Sequence, residues 1–188
     1  MESLILASAS ARRHELLVRL GVAFDVCPAD IDESPQPGET AETLVARLAL
    51  AKARTVAEAH SGCAVLGADT VVAQAGRILG KPADEDEAGR WLQALSGREH
   101  RVITALALVN GVNVSQACVV TRLWFRTLAA EEIARYVRTP EPLGAAGAYA
   151  VQGGAAAFLA RLVGSYTNVV GLPLAAVAAL LHRVRTEA

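Results

Sequence analysis

Residues 64–80 read AVLGADTVVAQAGRILG. Apolar and small residues run from Ala64 to Ala73 with one acidic residue, Asp69, in the middle. Such a run is too dense for a strand with one wet face, and it reads as a strand buried on both sides. Ala75-Gly76 then marks a turn into a second strand, so the stretch predicts a central strand plus its hairpin partner. A sheet needs helices to cover it, and the flanking text supplies them. Upstream, residues 41–60 carry Leu44, Leu48 and Ala51 at helical spacing, with Gly62 closing the helix. Downstream, Pro82 and the acidic run 84–87 open a helix with the stripe Ala88, Trp91, Leu92 and Leu95, ended by Gly97.

The rest of the chain extends this alternation. Leu4-Ile5-Leu6 forms a short strand that runs into a helix bearing Leu16, Leu17 and Leu20 and ending at Gly21. VAFDVC is a strand, followed by an acidic loop punctuated by proline. Asn110-Gly111 joins two long β-rich runs, a dipeptide suited to a type I′ hairpin turn. A short helix near 131–138 stops before Pro140. AYAVQG and AFLARLVG read as two further strands, and the final helix starts at Pro173, a residue favoured at a first helical position. The order βαβαββαβββαββα describes an α/β domain with a mixed sheet, covering 1–188 as a single domain.

Composition narrows the classes. The chain has 188 residues, 53 % of them hydrophobic, and 18 basic against 19 acidic residues. That balance argues against a nucleic-acid binder or a membrane-surface binder, since both need a basic excess. No apolar run approaches the roughly 20 residues that span a bilayer, and no leader pattern opens the chain, so a soluble cytoplasmic protein is expected. Three scattered cysteines and four scattered histidines provide neither a disulfide framework nor metal-ligand spacing.

A few polar residues stand where they need a reason. Asp69 sits in apolar text, where an ionised carboxylate is poorly solvated. Two readings are open: an aspartate capping a strand end, or a carboxylate held ionised by cations or a metal and able to act as a base. Lys52, in LALAKART, either snorkels to solvent or meets an anion. Lys81, in GRILGKP, lacks the GxxxxGK[ST] pattern, so a P-loop is rejected, leaving a phosphate ligand or a surface lysine. Gln152, in AYAVQGG, offers an amide donor and acceptor to a base edge or to the core. In LASASARR (residues 6–13) two arginines stand in the first turn of a helix, where the dipole disfavours cations by roughly 0.3–1 kcal/mol. Why both stand there, beside unpaired backbone N–H groups, is a question the residues alone leave open.

Taken in order, LILASASARRHELL, the text at 46–53, VLGADTVV, ILGKP, LSGREHRVITALAL, FRTL, GAYAVQG and GSYTNVVGLP resemble the Maf family of nucleoside triphosphate pyrophosphatases over nearly the whole chain. Each is weak alone; eight in the family's order are specific. The resemblance implies a Maf/ITPase-like α/β fold, an elongated mixed central sheet flanked by helices, with two lobes and a cleft between them. It implies hydrolysis of a nucleotide between the α and β phosphates with Mg2+ or Mn2+ as cofactor, in a house-cleaning role linked to septum formation, and a homodimer. Carried over by position, Asp69 resembles the proton acceptor. Ser8, Arg13, Lys52 and Lys81 resemble phosphate-binding groups, and Glu33 with Asp69 the metal side. Arg12, Thr70 and Gln152 stand where the branch acting on dTTP and UTP differs from a sister branch acting on 7-methyl-GTP. Glutamine matches the donor-acceptor face of a pyrimidine imide, whereas an arginine repels a cationic methylated purine. The alternatives are the sister activity and a non-catalytic nucleotide-binding regulator of septation. Two departures stand out: Gly144-Ala145 replaces a usual Asp-Lys pair, and Ala11 a usual proline.

Overall fold

The computed structural model describes residues 3–186. In chain order it contains β1 (Leu4–Leu6), α1 (Ala11–Val18), β2 (Phe24–Val26), α2 (Ala41–Ala59), β3 (Ala64–Gln74), β4 (Arg77–Leu79), α3 (Glu85–Leu95), β5 (Glu99–Asn110), β6 (Asn113–Phe125) and α4 (Ala130–Val137). Three short 3₁₀ turns follow, at Pro142–Gly144, Ala146–Ala148 and Gly154–Phe158, then β7 (Leu159–Val163), α5 (Tyr166–Val170) and α6 (Leu174–Thr186). The strands join in one mixed sheet in the order β2-β1-β3-β5-β6-β7, with β4 paired to β3. A mixed sheet with helices is what the sequence predicts.

The chain gathers into two compact units. The first comprises the residues through Asp69, Thr104–Val119 and the chain from Gly171. In it β1 lies between β2 and β3, parallel to both, with Leu4 opposite Phe24 on one side and Ala64 on the other. All three β1 residues are buried, as parallel strands covered on both faces should be. Helix α2 begins at a reciprocal cap between Thr40 and Thr43. It buries Leu44, Val45, Leu48, Ala49, Lys52, Ala53 and Val56. Leu48, Lys52 and Val56 follow one another at four-residue steps, so the lysine stands in the apolar stripe itself. Full burial of each leucine contributes roughly 1.5–3 kcal/mol. The helix comes unusually close to β3 at Gly67, where an added Cβ would overlap the Ala49 carbonyl and lie 2.9 Å from the Ala53 nitrogen.

The second unit holds Thr70–Ile103 and Val120–Val170. Its core joins Ala88, Leu92 and Leu95 of α3 to Ile133 and Tyr136 of α4, to strand residues Val72, Leu123 and Phe125, and to Tyr149, Ala155 and Phe158. Trp91 packs against this cluster while only partly buried. Phe125 meets Tyr149 edge-to-face at 4.9 Å between ring centroids. Buried His100 shares a 2.9 Å hydrogen bond between its Nε2 and the Tyr149 hydroxyl.

Several local readings change. Ala75 and Gly76 both take positive φ (47° and 79°), so the type I′ signature belongs to the β3–β4 turn. In the β5–β6 hairpin Asn110 is the last strand residue and Gly111 carries the positive φ, 57°. Two strands, not three, separate α3 from α4. AYAVQG is not a strand: its backbone donors go to local and side-chain acceptors, with Ala150 N–H donating to the Tyr136 hydroxyl and Gly153 N–H to the Ala150 carbonyl. The polar text GSYTNVV hides the short helix α5, whose Asn168 is fully buried and donates to the Val102 carbonyl and the Thr121 hydroxyl. The last helix starts one residue after Pro173.

Candidate active site

In the first unit the apolar strand delivers Asp69 to the α2 face. Gly67 and Asp69 are two residues apart and so share one side of β3. The close approach at Gly67 therefore sets the Lys52 ammonium against Asp69, at 2.7 Å from its Oδ1. Both residues are 7 % exposed. The same ammonium lies 2.7 Å from the Glu33 Oε1, on the acidic loop after β2. Glu33 is largely exposed, so its pair with Lys52 is screened by solvent and weaker than the pair with Asp69. Burial pushes the Asp69 carboxyl above the usual carboxylate range; Lys52 and Arg13 pull it back and Glu33 pushes it further up. A carboxylate made more basic, yet kept beside fixed cations, is suited to taking a proton.

Arg13 stands at the start of α1. Its Nε donates to the Gly171 carbonyl at 2.9 Å and its Nη1 to the Ser8 hydroxyl at 3.2 Å. Ser8, itself buried, also accepts from the Ser10 N–H at 3.2 Å. Ser10 caps the helix by accepting from the Arg13 N–H. Small residues before α1 thus build a polar socket that fixes one arginine. Burial lowers the Arg13 pKa, with Asp69 and Glu33 opposing and Arg12 adding to the fall; a guanidinium remains charged all the same. Arg12 is half-buried and about 100° around the helix from Arg13.

Ser8, Arg13, Glu33, Lys52 and Asp69 therefore belong to the same unit. The reading of Asp69 as a strand-end cap fails, because β3 continues to Gln74. The reading of Lys52 as a snorkelling side chain fails too. Thr70, Lys81 and Gln152 belong to the second unit. Thr70 follows Asp69 on the strand and faces the opposite side, the side of Val72, which an added Cβ at Gly147 would strike at 2.6 Å. Lys81 is exposed; the preceding Gly80 carbonyl accepts from the Gly147 N–H at 2.9 Å. Gln152 is exposed at the tip of a turn and is not the buried strand end that AYAVQG suggests.

Sequence reading missed Gly171, whose carbonyl anchors Arg13; GSYTNVVGLP carries the glycine but no sign that its backbone oxygen is used. For a metal, Asp69 and Glu33 are the fitting pair. Both converge on one cation, the Lys52 ammonium, and a hard divalent ion is commonly held by one or two carboxylates plus substrate phosphates. Among the described residues no group of three or more His, Cys, Asp or Glu forms a cage.

A family model for Maf-like protein matches residues 3–184. The dTTP/UTP pyrophosphatase of Pelotomaculum thermopropionicum is 48 % identical over 185 residues, 97 % of each chain. That of Geobacter sulfurreducens is 50 % identical over 183 residues, 96 % of each chain. Among solved structures, a HAM1 protein from Coxiella burnetii superposes with a TM-score of 0.49 at 21 % identity, covering 66 % of this chain and 73 % of that chain.

Proposed function

The chain belongs to the Maf-like protein family, and from that membership we propose that it is a nucleoside triphosphate pyrophosphatase acting on dTTP and UTP. Water attacks at the α–β phosphate bridge, the bridging P–O bond breaks, and a nucleoside monophosphate and pyrophosphate leave. The observation that carries this reading is the buried Asp69–Lys52 contact at 2.7 Å. A binding module has no use for a carboxylate whose proton affinity is raised by burial, whereas a hydrolase needs one to take the proton of the attacking water.

Each remaining residue has its own role. Arg13, held by Ser8 and Gly171, and Lys52 meet the charge that grows on the phosphates, by fixed positive groups that need no reorganisation. Lys81 adds a mobile point charge. Asp69 and Glu33 would hold a divalent cation, which when bound would supply Lewis-acid neutralisation of phosphate charge. Arg12, Thr70 and Gln152 select the base; the Gln152 amide pairs with the imide of uracil or thymine.

The test is pyrophosphate release measured side by side from UTP, dTTP, CTP and 7-methyl-GTP. Rapid release from UTP and dTTP is expected, with little from the methylated purine. Preference for 7-methyl-GTP transfers the chain to the sister activity, and release from none of them makes it a nucleotide-binding regulator. The regulator reading is already disfavoured by the charge pair in the core.

A further inference from the structure

The turn that carries Gln152 is held from outside itself. Tyr136, buried on α4, donates its hydroxyl proton to the Glu141 Oε2 at 2.9 Å and accepts from the Ala150 N–H at 3.0 Å. Glu141 in turn accepts from the Gly154 N–H, at 3.1 and 3.0 Å to its two oxygens. The backbone donors on either side of Val151–Gly153 are thus both tied to one tyrosine–carboxylate pair. Between them the turn closes on itself through Gly153 N–H to the Ala150 carbonyl at 3.0 Å. Gly153 fits because it has no side chain: an added Cβ would overlap the Glu141 carboxylate. Glu141 is fixed from its own side by Pro140 and Pro142, which limit the backbone around it.

We propose that Glu141 and Tyr136 are positioning residues that fix the Gln152 turn and thereby the enzyme's choice of base. The proposal rests on the reading of Gln152 as a base-side group. An amide tells uracil from a purine only if its carbonyl and NH2 are held in register with the base edge, and an exposed side chain on a free turn does not hold them. The carboxylate supplies two strong acceptor oxygens without adding a donor, so Gly154 N–H and the tyrosine hydroxyl can both be satisfied at once.

The experiment compares wild type, Glu141→Ala, Glu141→Gln, Gln152→Ala and the Glu141→Ala/Gln152→Ala double variant. It measures kcat and KM with UTP and with 7-methyl-GTP, alongside Tm. Glu141→Ala is expected to raise KM for UTP by about ten-fold, the scale of a lost hydrogen bond to a charged group. Its kcat should stay within about two-fold, because Asp69 and Lys52 are untouched, and its preference for UTP should narrow. Glu141→Gln keeps one acceptor oxygen and recovers most of the wild-type KM. The double variant should be no worse than Gln152→Ala alone, since an unplaced glutamine contributes no more than an absent one.

Multiplying effects in the double variant, or a fall in kcat with KM unchanged, overturn the proposal. If Gln152→Ala itself leaves KM and the UTP preference unchanged, the base-side reading of Gln152 fails first and the positioning role falls with it. A normal Glu141→Ala beside a damaged Gln152→Ala overturns the positioning role alone. Amide hydrogen exchange in the wild type gives a readout that needs no variant to fold. The Ala150 and Gly154 amides should exchange more slowly than those of exposed turns, and exchange at the free-peptide rate overturns the proposal.

Discussion

Replacing Lys52 with methionine removes one charge from the core and leaves nearly the same volume. At 2.7 Å and an effective dielectric near 20, the gross attraction between the Lys52 and Asp69 charges is roughly 6 kcal/mol. Desolvation of both groups cancels much of that in the intact pair. Breaking it from one side leaves a carboxylate in the interior, which costs about 3–5 kcal/mol when ionised. The pH dependence carries the sharper test. Asp69 already has a raised pKa because it is buried, and loss of Lys52, the largest opposing influence, raises it further. A carboxyl that is more basic in the folded than in the unfolded chain holds its proton in the fold over a pH range where the unfolded chain has lost it. Its contribution is thus least harmful below the unfolded value and worsens as pH rises through the folded one. Urea unfolding of K52M should therefore show the full deficit near pH 8. The deficit should shrink on acidification toward pH 5, by at most about 1.4 kcal/mol per pH unit for one proton. Adding Asp69→Asn to K52M should recover most of the pH 8 deficit, because no charge is then stranded. A deficit that is the same at pH 5 and pH 8, or a double variant no more stable than K52M, refutes the reasoning.

Three other outcomes follow from the geometry. Asp69→Asn should lower kcat with UTP by at least ~100-fold with little change in substrate affinity, the range for loss of a general base; near-normal turnover removes Asp69 from the chemistry. Burial pulls the His100 pKa from 6.5 down to about 4. As pH falls between those values the unfolded chain binds a proton that the fold refuses, so stability drops by about 2–3 kcal/mol between pH 7 and pH 4.5. His100→Gln should lack that part of the drop in denaturant titrations, and equal drops in the two proteins would sink the assignment. Gly67→Ala puts a methyl group into the Ala49 carbonyl, with an overpacking cost of about 1–3 kcal/mol. Its kcat should fall well beyond what the stability loss explains, because α2 carries Lys52; unchanged kcat in folded G67A would show that Lys52 tolerates a displaced helix.

The framework was legible where local pattern and tertiary need coincide. The apolar text around Asp69 and the α3 stripe each describe an element that the fold uses, while in α2 Leu44 and Leu48 are buried as read but Ala51 is only partly buried and Lys52 stands in the stripe. Lys52 could be noticed because it interrupts an apolar stripe, but periodicity cannot tell a lysine that escapes to water from one that meets Asp69. The deciding fact, the missing Cβ at Gly67, lies on another element. AYAVQG failed for the complementary reason. Its apolar run suits a strand, yet the Tyr136 hydroxyl takes the Ala150 N–H and the turn itself takes that of Gly153. Gly171 was invisible because only its carbonyl acts, and a backbone oxygen leaves no mark in a sequence.

The two arginines of LASASARR separate along the same lines. In α1, Arg13 is bound by Ser8 and by a carbonyl more than 150 residues away, so it is a rigid part of the first unit and not a flexible surface charge. Rigidity matters for the proposed chemistry because a fixed cation stabilises developing phosphate charge without reorganising. The cost is a partly buried arginine whose proton affinity is lowered by desolvation and by Arg12, and partly restored by Asp69 and Glu33. Asp69 is thus balanced twice, by Lys52 in contact and by Arg13 at longer range, and each cation is in turn made tolerable by the acid it faces. A site assembled this way is sensitive at its buried pair: removing Lys52 leaves the Asp69 carboxylate in the interior with only the longer-range Arg13 to oppose it. That interdependence, and not the strength of any one bond, is why a charge pair in an apolar strand and helix points to chemistry over stability.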